Sequence, residues 1–243
     1  MVRHRGAARR GHGDDRPLYS IAEAARYSYT KPPTLRRWAL GYSGNDGTIY
    51  APLLTLPQER PGGEPALSWE NLVEAALLSH WRGKRISLQR LRRAHQLATR
   101  EFGPHPFAHR AVYTDGLDLF TAADDADDDD EPSALLTVLT REGQRVLAPA
   151  ITSFLTSFDW QRQTEVPYQW RPPAGGDVVR LNPEINFGQP GVKRVRTEVI
   201  FGRWLARESW EEIAEDFALT VPEVETALRY EVVLQRPSLA LAA

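Results

Sequence analysis

The chain has 243 residues, 42% of them apolar, a length that suits two modest domains. It has no cysteine, which excludes disulfides, thiolate zinc sites and cysteine nucleophiles, and no apolar run approaches the roughly 18 residues of a membrane span, so a cytoplasmic protein without a membrane partner is expected. The near-neutral total conceals two opposite halves: residues 1–111 hold 18 Lys/Arg against 9 Asp/Glu, a net of +9, and residues 112–243 hold 12 against 23, a net of −11.

A phosphate backbone attracts the first half and repels the second, so DNA, if bound, meets the N-terminal half. Residues 1–16, with Arg3, Arg5, Arg9 and Arg10 among Gly and Ala, read as a disordered basic arm without a signal peptide's apolar stretch. Ser20-Ile-Ala-Glu23 has capping-box spacing and predicts a short helix that turns Ile21, Ala24 and Ala25 inward. Pro32-Pro33 opens a second helix, because proline in the first turn forfeits no hydrogen bond, and Gly41 ends it. Leu35 and Trp38 share one face of that helix while Arg36 and Arg37 project elsewhere, so the outline is helix-turn-helix with a basic second helix. The Gly/Pro/Asn-rich stretch from Tyr42 to Gly63, around Ile49-Tyr50 and Leu53 to Leu56, predicts a small hairpin or wing.

Ser68 is the expected cap of a third helix with Leu72, Val73, Ala76, Leu77 and His80 as its core stripe. After Gly83, Ser87 starts a fourth helix with Leu88, Leu91, Ala94, Ala98 and Phe102 inward and Arg90, Arg92, Arg93 and Arg100 outward, ending at Gly103-Pro104. Candidate strands follow at Ala111–Tyr113, Leu117–Phe120, Leu135–Leu139 and Arg145–Leu147, interrupted by an acidic loop at 124–131, whose seven carboxylates repel one another and stay solvated. Leu147 to Trp160 reads as a short amphipathic helix and Arg171 to Asp177 as a linker.

Val178 to Leu181 is an apolar strand, with turns at Asn182-Pro183-Glu184 and Gly188 to Gly191. A helix near Thr197 groups Val199, Ile200, Trp204 and Leu205 on one face, and capping boxes at Ser209–Glu212 and Thr220–Glu223 start two more. These carry Ile213, Ala214 and Phe217, then Val224, Leu228 and Val232. Trp38, Trp69, Trp81, Trp204 and Trp210 fall on apolar helix faces and are expected in the core. This second helix-turn-helix outline has the wrong charge for DNA: residues 198–236 hold 4 basic against 9 acidic side chains.

The fold class is therefore mainly α (α+β). The expected divisions are an arm at 1–16, a winged helix-turn-helix at 17–110, a strand-rich connector at 111–177 and a three-helix module at 178–236. No catalytic constellation is legible: the six histidines are scattered, there is no nucleophile elbow or phosphate-binding glycine loop, and Pro106 spoils the helical spacing of His105 and His109. No enzyme, cofactor or metal site is expected. Candidate DNA contacts are Arg36 and Arg37 on the recognition helix, with Lys31, Thr34, Lys84, Arg85, Arg90, Arg92 and Arg93 beside them. Lys193, Arg194 and Arg196 are candidates for a partner surface.

Tyr19 to Ala25, Thr34 to Ala39 and the later Gly83 to Arg92 segment resemble the opening of MerR-type winged helices. Leu181 to Gly191, Lys193 to Thr197, Ser209 to Ile213 and Val221 to Tyr230 resemble the domain-of-unknown-function family four-three-three found in VapB-type antitoxins. The second resemblance implies a type II antitoxin that neutralises a VapC-like PIN-domain ribonuclease and represses its own operon at an operator. A homodimer reading paired half-sites is the expected assembly. The first resemblance alone implies a ligand-responsive transcription regulator; the place for a ligand would be an apolar pocket between the fourth helix and the central strands.

Overall fold

The computed structural model describes residues 16–57, 63–109, 154, 156–160 and 166–235. The expected strands within 111–147 and the acidic loop 124–131 lie outside the described residues.

Two strands that the sequence pattern does not announce frame the N-terminal half. β1 (Tyr19–Ser20) pairs antiparallel with β4 (Ala66–Leu67), Tyr19 opposite Leu67, each strand leading directly into a helix start. α1 (Ile21–Tyr27) begins at Ser20, whose hydroxyl accepts from the Glu23 amide at 3.2 Å while the Glu23 carboxylate accepts from the Ser20 amide at 2.9 Å. The two bonds satisfy donors that the first turn leaves open. α2 (Pro32–Leu40) buries Leu35 and Trp38, as their spacing requires. β2 (Tyr42–Ser43) and β3 (Ile49–Tyr50) then form the wing, with Tyr42 opposite Tyr50.

α3 (Trp69–Gly83) departs from the expected single stripe: every residue from Trp69 to Ser79 is buried. It runs through the middle of the molecule. α1 and β4 pack on it, and the 3-10 turn Pro106–Ala108 closes another side. The Trp69 indole donates to the Pro167 carbonyl at 2.6 Å. Burial includes Glu74, fully shielded beneath His95 and His105. α4 (Leu88–Phe102), capped by Ser87, buries Leu91, Ala94 and Ala98 and ends at Gly103 with φ +85°.

The end of the expected 147–160 helix is instead a strand. β5 (Phe158–Asp159) pairs with β6 (Gln169–Trp170), and the Phe158 ring stacks on Trp170 at 5.5 Å. The presumed linker 171–177 contains an ordered 3-10 turn (Pro173–Gly175) packed beneath the last helix. A Cβ on Gly175 would come within 2.5 Å of Val179, so only glycine permits that approach.

β7 (Val179–Arg180), β8 (Gly191–Val192) and β9 (Val195–Arg196) form an antiparallel three-stranded sheet in chain order. α5 (Thr197–Leu205), α6 (Trp210–Asp216) and α7 (Val221–Gln235) follow. The boxes at Ser209–Glu212 and Thr220–Glu223 both form. The expected core faces need correction. Val199, Ile200, Trp204 and Leu205 span about 240° of a helix at 100° per residue, too wide for one core face. α5 buries Thr197, Ile200 and Phe201 instead, leaving Trp204 38% and Leu205 60% exposed. Trp210 is 37% exposed and Val232 is 43% exposed, so neither is a core residue. Trp38, Trp69 and Trp81 are buried as expected.

The buried residues of both halves form one continuous core. Glu231 of α7 is buried between Arg26 of α1, with which it pairs, and the Thr197 hydroxyl, which donates to it at 2.6 Å. The Tyr19 hydroxyl donates to the Gly188 carbonyl at 3.0 Å, where a Cβ on Gly188 would sit 2.0 Å from that hydroxyl. Burial pushes the Tyr29 phenol well above its usual range. Among the described residues, no helix is long and apolar enough to cross a membrane.

Candidate nucleic-acid interface

α1 and α2 place a basic helix at the surface next to a hairpin. Because Leu35 and Trp38 must face inward, their neighbours Arg36 and Arg37 stand on the opposite side and are exposed, as is Lys31 at the helix entrance; Thr34 is half-buried. Gly41 has φ +73°, and a Cβ there would lie 2.4 Å from the Tyr50 carbonyl oxygen, so the chain turns straight from α2 into the wing. The Leu53 and Leu54 amides both donate to the Trp38 carbonyl, at 2.7 and 3.1 Å, which closes the wing back onto α2.

Aromatic rings and arginines fix the angle between these parts. Tyr42 and Tyr50 stack with centroids 4.6 Å apart, the Arg37 guanidinium lies 5.4 Å from the Tyr42 ring and that of Arg92 lies 5.8 Å from Tyr50. Such contacts each contribute roughly 0.5–1 kcal/mol. Arg92 also donates to the Ala51 carbonyl, so it braces α4 to the wing. At the wing tip the Thr48 amide and hydroxyl donate to Asp46 at 3.0 and 2.8 Å, holding its carboxyl below the usual range, and Ile49 projects 82% exposed.

The remaining basic candidates form a second cluster at the α3–α4 turn. Lys84 and Arg85 are exposed there, Arg85 at φ +66°, and Arg90 and Arg93 are half-buried on the following helix. The nine candidates therefore divide between the α2–wing edge and the α3–α4 turn, with Arg92 touching both α4 and the wing. The Tyr42–Tyr50 stack between these basic edges is not among the nine candidates. A signal for it existed: two tyrosines flank an Asn-Asp-Gly turn at hairpin spacing.

Behind this surface, burial alone would raise the Glu74 pKa, but hydrogen bonds from His105 and His95, at 3.4 and 3.3 Å, outweigh it and hold the carboxyl below its ordinary 4.5. The Phe107 amide donates to the same carboxylate at 3.3 Å, so the cluster is an internally satisfied clamp between α3, α4 and the 3-10 turn. Among the described residues, no group of three or more His, Cys, Asp or Glu side chains could hold a metal ion.

The candidate partner residues sit at the β8–β9 turn. Lys193, at φ +55°, reaches the Ala218 carbonyl at 3.2 Å and Glu223 at 3.1 Å, and Arg196 donates to Gln189 at 2.9 Å. Arg194 is exposed. Glu223 is held below its ordinary range first by the Thr220 amide and then by Lys193.

Residues 17–95 match a family model described as "Putative DNA-binding HTH domain". That span contains α1, α2, the wing, α3 and the first half of α4. Residues 179–230 match a second, "Protein of unknown function (DUF433)", which covers the three-stranded sheet and most of the three-helix module. "Putative antitoxin VapB45" of Mycobacterium tuberculosis is 26% identical over 88% of this chain and 93% of its own length. "Uncharacterized protein Rv2308" of the same organism is 26% identical over 89% of this chain and 90% of its own. The crystal structure of Rv2018 from M. tuberculosis superposes with a TM-score of 0.67 at 23% identity, covering 88% of this chain and 98% of that one, and so shares the fold.

Proposed function

We propose that the chain is a non-enzymatic type II antitoxin that neutralises a PIN-domain ribonuclease by direct binding and represses its own operon by binding DNA. The observation that carries the DNA-binding part is an exposed basic helix beside a braced wing, Arg36 and Arg37 outward on α2 with Tyr42 and Tyr50 behind them. This arrangement suits base-edge contacts from α2 in the major groove and phosphate contacts from Lys31, Lys84, Arg85, Arg90 and Arg93. The matched helix-turn-helix description supports it. A homodimer presents two such heads to paired half-sites. The antitoxin part draws support from the relative of that name and from the acidic three-helix module, which phosphate repels and a protein does not. Arg194, exposed at the β8–β9 turn, is the first of the basic trio to test against a toxin's carboxylate metal site.

Gel-shift titration against the DNA upstream of the operon tests the DNA-binding part. Arg36→Ala with Arg37→Ala should weaken binding by about 10- to 100-fold and flatten the salt dependence by about one to two in log–log slope. Affinity unmoved by the substitutions and by salt would refute it.

A second reading, a ligand-responsive regulator without a toxin, has one observation in its favour. An open groove of about 340 Å³ lies between Pro52–Thr55 and the α4 residues His95, Gln96, Thr99 and Arg100. A ligand there would press on both the wing and α4. Growth rescue and co-purification on co-expression with the neighbouring gene separate the two readings.

A further inference from the structure

The three-helix module carries an apolar corner that the described fold leaves open. Phe201, Trp204 and Leu205 recur at three- and four-residue spacing on α5, and Trp210 opens α6 just beyond the turn. The Phe201 and Trp204 rings lie 5.6 Å apart; Trp204 and Trp210 keep more than a third of their surface in solvent, at 38% and 37%, and Leu205 keeps 60%. Clustered large apolar groups at a surface mark contact sites, and tryptophan is prominent among the anchors that dominate binding energy.

Gly202 adds an independent sign. It lies in the interior of α5, where glycine costs helix stability, yet a Cβ there would meet no atom within 4 Å. Nothing described in this chain uses the space left by its missing side chain. A partner packing closely over α5 would.

Charge selects the occupant. On α5, α6 and the turn between them stand Glu198, Glu208, Glu211, Glu212, Glu215 and Asp216, against Arg203 and Arg207. Arg203 is already paired with Glu208 and with Asp216, and its guanidinium lies over the Phe217 ring. The rim is therefore acidic, which repels nucleic acid and would set like charge against like in a symmetric contact between two copies. We propose that this corner is the docking surface for a protein partner presenting an apolar cleft rimmed with lysine and arginine. The proposal rests on the partner-binding half of the function given above and is independent of its DNA-binding half. It moves the main contact away from the β8–β9 turn, where docking would break the Lys193–Glu223 and Arg196–Gln189 bonds.

The test uses the full chain and the purified product of the neighbouring reading frame, titrated calorimetrically. Trp204→Ser with Leu205→Ser should weaken binding at least about 30-fold, with the circular-dichroism spectrum of the wild type and a Tm still above the titration temperature. Replacing Lys193, Arg194 and Arg196 by alanine should weaken it by less than the corner variants do, and Glu211→Lys with Glu215→Lys should weaken it and reduce its salt sensitivity. If the double serine variant loses its fold, Leu205→Lys alone carries the same test at the most exposed position. Wild-type protein that fails to bind would overturn the antitoxin reading and the corner with it. Binding that survives the corner variants would overturn the corner alone, and so would corner variants that turn a sedimenting dimer into a monomer.

Discussion

The chain contains the helix-turn-helix outline twice, and the two copies have opposite surfaces. In the first, α1 and α2 bury Ala24, Ala25, Leu35 and Trp38 and turn Arg36 and Arg37 to solvent; in the second, α6 and α7 bury Ile213, Ala214, Val224 and Leu228 and turn carboxylates outward. Both starts are capped by the same Ser-x-x-Glu device, at Ser20 and at Ser209. The backbone outline is set by caps, turns and apolar spacing, which the two share; what the surface can approach is set by the side chains between them. Shape alone would have assigned DNA to both.

The largest expected effect breaks the bond between the two. Glu231→Ala removes the buried carboxylate that Arg26 and Thr197 share, and should cost about 3 kcal/mol in denaturant titrations. A loss below about 1 kcal/mol would mean that the halves do not depend on this contact. The next contrast uses two glycines. Gly41→Ala should cost about 2 kcal/mol, because φ is positive and the new Cβ meets the Tyr50 carbonyl, and it should weaken DNA binding by displacing the wing. Gly202→Ala should instead stabilise by roughly 0.5–1 kcal/mol, since its Cβ enters open space on a helix. Matching signs for the two would contradict the geometry.

A smaller effect concerns acid stability. Glu74 has its folded pKa depressed below 4.5, so its contribution is present above that value and is lost as pH falls through the lower folded one. Glu74→Gln should cost about 1 kcal/mol at neutral pH and flatten the fall in stability below pH 4.5, read from urea midpoints. An acid limb as steep as that of the wild type would place the titration elsewhere. The smallest change is a control: Glu211→Gln with Glu215→Gln leaves the second outline acidic, with 4 basic against 7 acidic side chains over residues 198–236, and upstream DNA affinity should stay within about twofold. A clear gain would move DNA recognition toward the C-terminal module.

Most of the N-terminal head was legible. The caps at Ser20, Ser68 and Ser87, the prolines opening α2 and the inward pair Leu35–Trp38 are local features, decided by hydrogen bonds and spacing within a few residues. β1 and β4 were not, because two-residue strands carry no alternation to count. Neither was the role of Arg92, which counts as one more surface cation in sequence and as a brace on Ala51 and Tyr50 in the fold.

The sequence by itself determined the helical outlines, their starts and ends, and the charge difference between the halves, because each depends on neighbours along the chain. Only the tertiary structure decided that α3 is buried almost all round, that Trp204 and Trp210 face outward, and that Glu231 joins α7 to α1. Burial depends on which elements arrive from distant parts of the chain, and a helix pattern records an apolar face without recording whether anything comes to cover it.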